Sequence, residues 1–144
     1  MKIVLVALLA LVMPATASAQ DADAPLLTQA DTLDAFLWTA RPIVVFADTP
    51  DDPRFIRQIE LLESRKEELW VRDVVVIADT DPENPSEIRT QLRPRGFMLA
   101  IIGKDGKVSL RKPAPWDVRE ITRAIDKMPL RRQEIRDRKA AGSG

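Results

Sequence analysis

Two groups of charged residues carry the side chains whose types and spacing could do chemistry. Asp48, Asp51 and Asp52 follow one β-branched run, and Asp79, Asp81 and Glu83 follow another. If the two runs are neighbouring parallel strands, these carboxylates gather at the carboxyl end of a sheet, where open α/β folds bind ligands. An oxygen-only donor set suits Ca²⁺ or Mg²⁺ rather than zinc or copper. Asp is also the ordinary residue of helix starts and of Asp-Pro and Asp-Thr turns, and that reading of the rim stands ahead of the cation site. The second group is Arg41, Arg72, Asp73 and Arg111, all at strand edges, which reads as an anion-binding or ion-paired cluster. Arg72 beside Asp73 favours a local ion pair that anchors a strand start.

Other chemistry is excluded by what the chain lacks. It has no cysteine and no histidine, so the best nucleophile and the commonest general base are both missing. Thiol–disulfide exchange and thiol peroxidase chemistry cannot occur on it. Ser86 reads as a first-turn helix residue and Ser109 as a strand residue. No catalytic residue is assigned, and no cofactor is expected beyond Ca²⁺ or Mg²⁺ on the acidic rim.

The elements that would position these groups can be read from periodicity. Asp31 to Trp38 reads as a short helix capped by Asp31, with Leu33, Phe36 and Leu37 on one side. Ile43 to Ala47 and Asp73 to Ala78 are apolar without alternation, the pattern of strands covered on both faces. Between them, Arg54 to Trp70 places Phe55, Ile59, Leu62, Leu69 and Trp70 at helical spacing. Asn84-Pro85-Ser86-Glu87 suggests a helix capped by Asn84 and ending near Leu92, before Pro94. Phe97 to Ile102, the turn Gly103 to Gly106 and the alternating Lys107 to Arg111 make a hairpin. Trp116 to Lys127 is a helix with Val118, Ile121, Ile125 and Met128 on one face. Leu130 to Lys139 is a charged, solvated helix, and 140–144 a disordered tail.

The order predicts an α/β domain of the thioredoxin-like class. It has a central mixed sheet of about four strands with helices on both faces, two parallel crossover units and an antiparallel hairpin edge.

Five segments carry a closer resemblance: Trp38-Thr-Ala-Arg-Pro-Ile-Val-Val-Phe46, Arg72-Asp73, Ile102-Gly-Lys-Asp-Gly106, Leu110-Arg111, and Ile125 to Glu134 with its Met-Pro-Leu-Arg-Arg-Gln-Glu run. In these the chain resembles a bacterial family of secreted proteins known as a domain of unknown function. A related domain occurs in animal extracellular-matrix proteins, including a sushi-repeat-containing protein. The resemblance implies a thioredoxin-like fold and export, and no reaction. A redox thioredoxin carries Cys-x-x-Cys at the mouth of its first crossover helix, where this chain has Asp48-Thr-Pro-Asp-Asp-Pro53. The cis-proline that would face it falls near Met98, and Pro94 comes too early.

The N-terminus has Lys2, an apolar run from Ile3 to Met13, Pro14 and Ala17-Ser-Ala19. This is the pattern of a signal peptide over 1–19, and it predicts a periplasmic or secreted product. Residues 20–30 read as a flexible leader, and 31–139 as one domain with its charged C-terminal helix. No span is expected in the mature chain. Formal net charge is zero, yet acids outnumber bases before Ala100 and bases outnumber acids after it. The basic residues are interleaved with acids and have no aromatic among them, which argues against nucleic acid. The expected partner is a protein or envelope component, bound by a non-catalytic module. The alternative is a divalent-cation-binding protein or metal-dependent enzyme using the acidic rim.

Overall fold

Residues 26–143 are described in the computed structural model. The strands are β1 (Leu27–Thr28), β2 (Arg41–Phe46), β3 (Val74–Asp79), β4 (Met98–Ile102) and β5 (Val108–Lys112). The helices are α1 (Pro53–Ser64), α2 (Lys66–Trp70), α3 (Glu87–Leu92), α4 (Val118–Asp126) and α5 (Pro129–Gly142). One mixed sheet has the order β1-β3-β2-β4-β5.

The non-alternating runs are apolar because both faces of the sheet are covered. Ile43 and Val45 of β2 join Leu62, Leu69, Val76, Leu99, Ile121 and Ile125 under α1, α2 and α4. Val44 and Phe46, pointing the other way, pack with Ile77, Ile88, Leu92, Ala100 and Ile102 under α3. β2 and β3 run parallel, with Phe46 opposite Asp79, so the loops that follow them leave the sheet at the same end.

Several expectations are corrected. The sheet has five strands, because Leu27 and Thr28, assigned to the flexible leader, pair with Val76 and Ile77. The 31–38 helix is a 3₁₀ turn, Asp34–Phe36, preceded by Leu33 rather than capped by Asp31. The long helix breaks at Arg65, whose φ of −135° ends α1 and starts α2. The short helix is capped by Ser86, which accepts from the Arg89 N–H, and not by Asn84.

β4 runs antiparallel to β2, so the second crossover unit is absent. The reason lies in α3. Its cap Ser86 is tied to Asp79 at the end of β3, and six residues of helix rise only about 9 Å. A six-residue strand is roughly twice that length. The chain therefore never returns to the amino end of β3 and re-enters the sheet from the carboxyl end. Finally, α5 continues to Gly142, so 140–142 are helical rather than a disordered tail.

Candidate functional site

The carboxyl ends of β2 and β3 bring the two acidic loops to one end, as the spacing anticipated, but a guanidinium already stands between them. Arg89, on the inner face of α3, donates through Nε to Asp79 Oδ1 at 2.9 Å. Its Nη2 donates to the backbone oxygens of Ala47 and Asp79, each at 2.9 Å. The head stacks over the Phe46 ring at 5.4 Å. Asp79 Oδ2 also accepts from Ser86 Oγ at 2.8 Å. Asp52 caps α1 through the Arg54 N–H and pairs with the Arg54 side chain. That side-chain bond holds its carboxyl below the usual range. Asp81 accepts from the Asn84 side chain at 2.9 Å, which likewise lowers its pKa. Asp48, Asp51 and Glu83 are exposed. Among the described residues, no three Asp or Glu side chains converge to hold a metal ion. Asp52, Asp81 and Asp79 are engaged one by one, by a cap, a turn and an arginine.

The opposite end, at the start of β2, is the more organised. Arg41 opens that strand with 1% of its surface exposed. It donates through Nη1 to the Arg72 carbonyl at 2.9 Å and through Nη2 to Glu134 Oε1 at 3.0 Å. Lys104, from the hairpin turn, donates to the same Glu134 oxygen and to Asp73, each at 2.8 Å. Arg72 forks onto Asp126 at 3.0 and 2.9 Å, and Arg131 adds a third bond to Asp126 at 3.2 Å.

Burial pushes the Asp126 and Glu134 carboxyls up, but these donors outweigh it. Arg72 and Arg131 hold Asp126 below the usual range, and Arg41 and Lys104 do the same for Glu134. The network ties together the start of β2, the turn before β3, the β4–β5 hairpin, the end of α4 and the first two turns of α5.

Three of the four residues singled out at strand edges thus meet here, with different partners from those expected. Arg72 and Asp73 do not pair with each other. Arg111 lies elsewhere, donating to the Leu92 carbonyl at 2.6 Å. Lys104, Asp126, Arg131 and Glu134 were missed. The helix read as fully solvated is pinned through its first two turns, with Arg131 buried. Gln58, also missed, shares the α1 stripe with Phe55, Ile59 and Leu62. It is buried and bonds both the N–H and the carbonyl of Trp116. A polar residue on an apolar stripe was the available signal.

Beside the network lies a cavity of about 350 Å³, lined by Trp38, Arg41, Lys104, Val108, Met128 and Leu130 among others. Trp38 is 68% exposed and has φ of +63°, a conformation unusual for a bulky residue and characteristic of functional positions. Its N–H donates to the Lys104 carbonyl at 2.8 Å. Gly106, at φ +79°, closes the hairpin where a Cβ would come within 2.8 Å of Leu37.

Sheet order, two helical layers and an acidic loop at the first crossover helix define a cysteine-free thioredoxin-like domain. Chloroplastic thioredoxin z superposes with a TM-score of 0.55 at 20% identity, covering 70% of this chain and 90% of that one. The reduced 2-Cys peroxiredoxin of Plasmodium vivax superposes with a TM-score of 0.55 at 13% identity, covering 65% and 80%. At such identities these likenesses show the fold alone. The chain belongs to the family described as Domain of unknown function (DUF4174), which matches residues 32–134. It is also similar to Coiled-coil domain-containing protein 80 of Danio rerio, 29% identical over 140 residues. That match covers 76% of this chain and 16% of the relative's length.

Proposed function

We propose that this protein is an exported, non-catalytic thioredoxin-like module that binds a protein or envelope component at the Trp38 cavity. Cleavage after Ala19, in a segment outside the described residues, would release it to the periplasm or the medium. What supports that address is the signal-peptide pattern over 1–19, together with the sequence resemblance to a secreted bacterial family and to a sushi-repeat matrix domain.

The observation that carries the reading is the contrast between the two ends of the sheet. The crossover loop where thioredoxins hold their cysteines carries carboxylates and no thiol, while the other end presents a tryptophan over an apolar cavity beside the ionic network. A large aromatic held half in water is the typical anchor of a protein interface. The occupant proposed is an apolar side chain of a partner protein. A cation on the acidic rim would instead require Asp79 to release Arg89 and Asp81 to release Asn84, so no metal or other cofactor is proposed.

The test is a photoreactive residue placed at Leu130, inside the cavity, with Asp48 at the far end as the comparison site. In the producing cell, Leu130 should cross-link one partner and Asp48 should not, with Trp38→Ala abolishing the product. The cross-linked chain should have the mass of a polypeptide starting at Gln20. Equal cross-linking from both positions, or a product indifferent to Trp38→Ala, would overturn the binding reading. An uncleaved N-terminus would overturn export.

A further inference from the structure

We propose that the open depression between the end of α3 and the end of β5 is a binding site for a phosphate group. It has a volume of about 260 Å³, and its lining includes Arg93, Arg95, Phe97, Met98, Arg111 and Lys112. Four of these are cations and none is an acid. Among the described residues, no carboxylate lies within ion-pair distance of any of the four. Arg41, Arg72, Arg89, Lys104 and Arg131, at the two ends of the sheet, each have an acidic partner. Arg93, Arg95 and Arg111 are exposed, and like charges lining one depression repel one another. Their natural complement is an anion from outside.

Two of the four side chains are held by contacts that do not neutralise them. Arg111 donates through Nη1 to the Leu92 carbonyl at 2.6 Å, with Met98 Sδ at 4.0 Å. Lys112 lies over the Trp116 ring at 4.6 Å. Arg93 ends α3 with φ of +50°, and its N–H bonds to the Arg89 carbonyl. A left-handed helix cap is ordinarily glycine, because any Cβ is strained there. An arginine in that place is accepted at the expense of the fold.

Charge matching selects the ligand class. A carboxylate brings one negative charge, whereas a phosphate monoester carries about −1.5 to −2 and presents three acceptor oxygens. Guanidinium forks suit that geometry. The phosphate could belong to a soluble ester or to a lipid headgroup. This site is separate from the Trp38 cavity and does not depend on it.

The experiment follows the arginine Nε–Hε resonances of the exported chain by NMR during titration with glycerol phosphate, with acetate at equal ionic strength as comparison. A parallel arm sediments the chain with vesicles containing phosphatidic acid or only phosphatidylcholine. Saturating shifts at Arg93, Arg95 and Arg111 with glycerol phosphate would support the site with a soluble ester as source. Binding confined to phosphatidic acid vesicles would support it with a lipid headgroup as source.

In either case Arg95→Gln should weaken binding by about tenfold. Arg93→Gly should weaken it while raising the melting temperature by about 2–4 °C, through relief of the left-handed strain. Trp38→Ala should leave binding unchanged. The proposal is overturned if neither probe binds saturably, if acetate reproduces the shifts, or if the arginine variants bind as tightly as the parent chain.

Discussion

Arg41 is a charge placed at the mouth of an apolar strand, and its burial is tolerable only because Glu134 and the Arg72 carbonyl receive its guanidinium. Removing one partner of such a pair leaves the other charge buried and alone, which costs more than the pair ever contributed. Glu134→Gln should therefore destabilise the fold by about 2 kcal/mol at neutral pH. The pH dependence has a definite sign. Glu134 titrates lower in the folded chain than in the unfolded one, so its stabilisation is complete above the ordinary carboxylate value of about 4.3 and disappears as the pH falls through the folded value. Urea midpoints of the two proteins should differ most at pH 7 and converge towards pH 3; a constant gap would refute this account. Arg41, Arg72 and Asp73 were legible as a group because charges flanking buried strands need partners. Glu134 was not, because it sits 93 residues from Arg41 in a run that looks like any solvated helix.

At the scale of elements, α3 shows how a cap anchors a helix to the end of a strand. Asn84-Pro85-Ser86 offers two capping residues. Ser86 wins because its hydroxyl donates to Asp79 while accepting from the Arg89 N–H, whereas Asn84 is occupied by Asp81. That choice fixes α3 at the carboxyl end of the sheet and places Arg89 between the loops. Ser86→Ala should cost about 1 kcal/mol, and Asn84→Ala less than about 0.5 kcal/mol, in chemical denaturation. The reverse ranking would restore the Asn84 cap. Strand positions and the Gly103–Gly106 turn were readable because burial on both faces and positive φ leave local marks in composition. The direction of β4 left none.

The whole molecule is organised by α5, which closes the amino end of the sheet after the core is already covered. Its first two turns carry Arg131 and Glu134 into the ionic network, and its last turns are exposed. A chain ending at Asp137 should keep its stability within about 0.5 kcal/mol. One ending at Lys127 should lose about 3–5 kcal/mol, because Arg41 and Lys104 then lack Glu134. Thermal unfolding of the two truncations distinguishes this from a helix that merely trails in solvent. The same closure forms the wall of the Trp38 cavity, through Met128 and Leu130.

Local composition alone determined that this chain makes an α/β domain with doubly covered strands, that its crossover loop is acidic, and that thiol chemistry is closed to it. Those properties follow from side-chain type and spacing, which act over a few residues. The tertiary structure decided which charge meets which: Arg89 in place of a cation, Glu134 beneath Arg41, and Arg111 among unpaired arginines rather than with Arg72. Coulombic partners are chosen by proximity in space. Proximity is set by packing between elements far apart in the chain, so no motif records it.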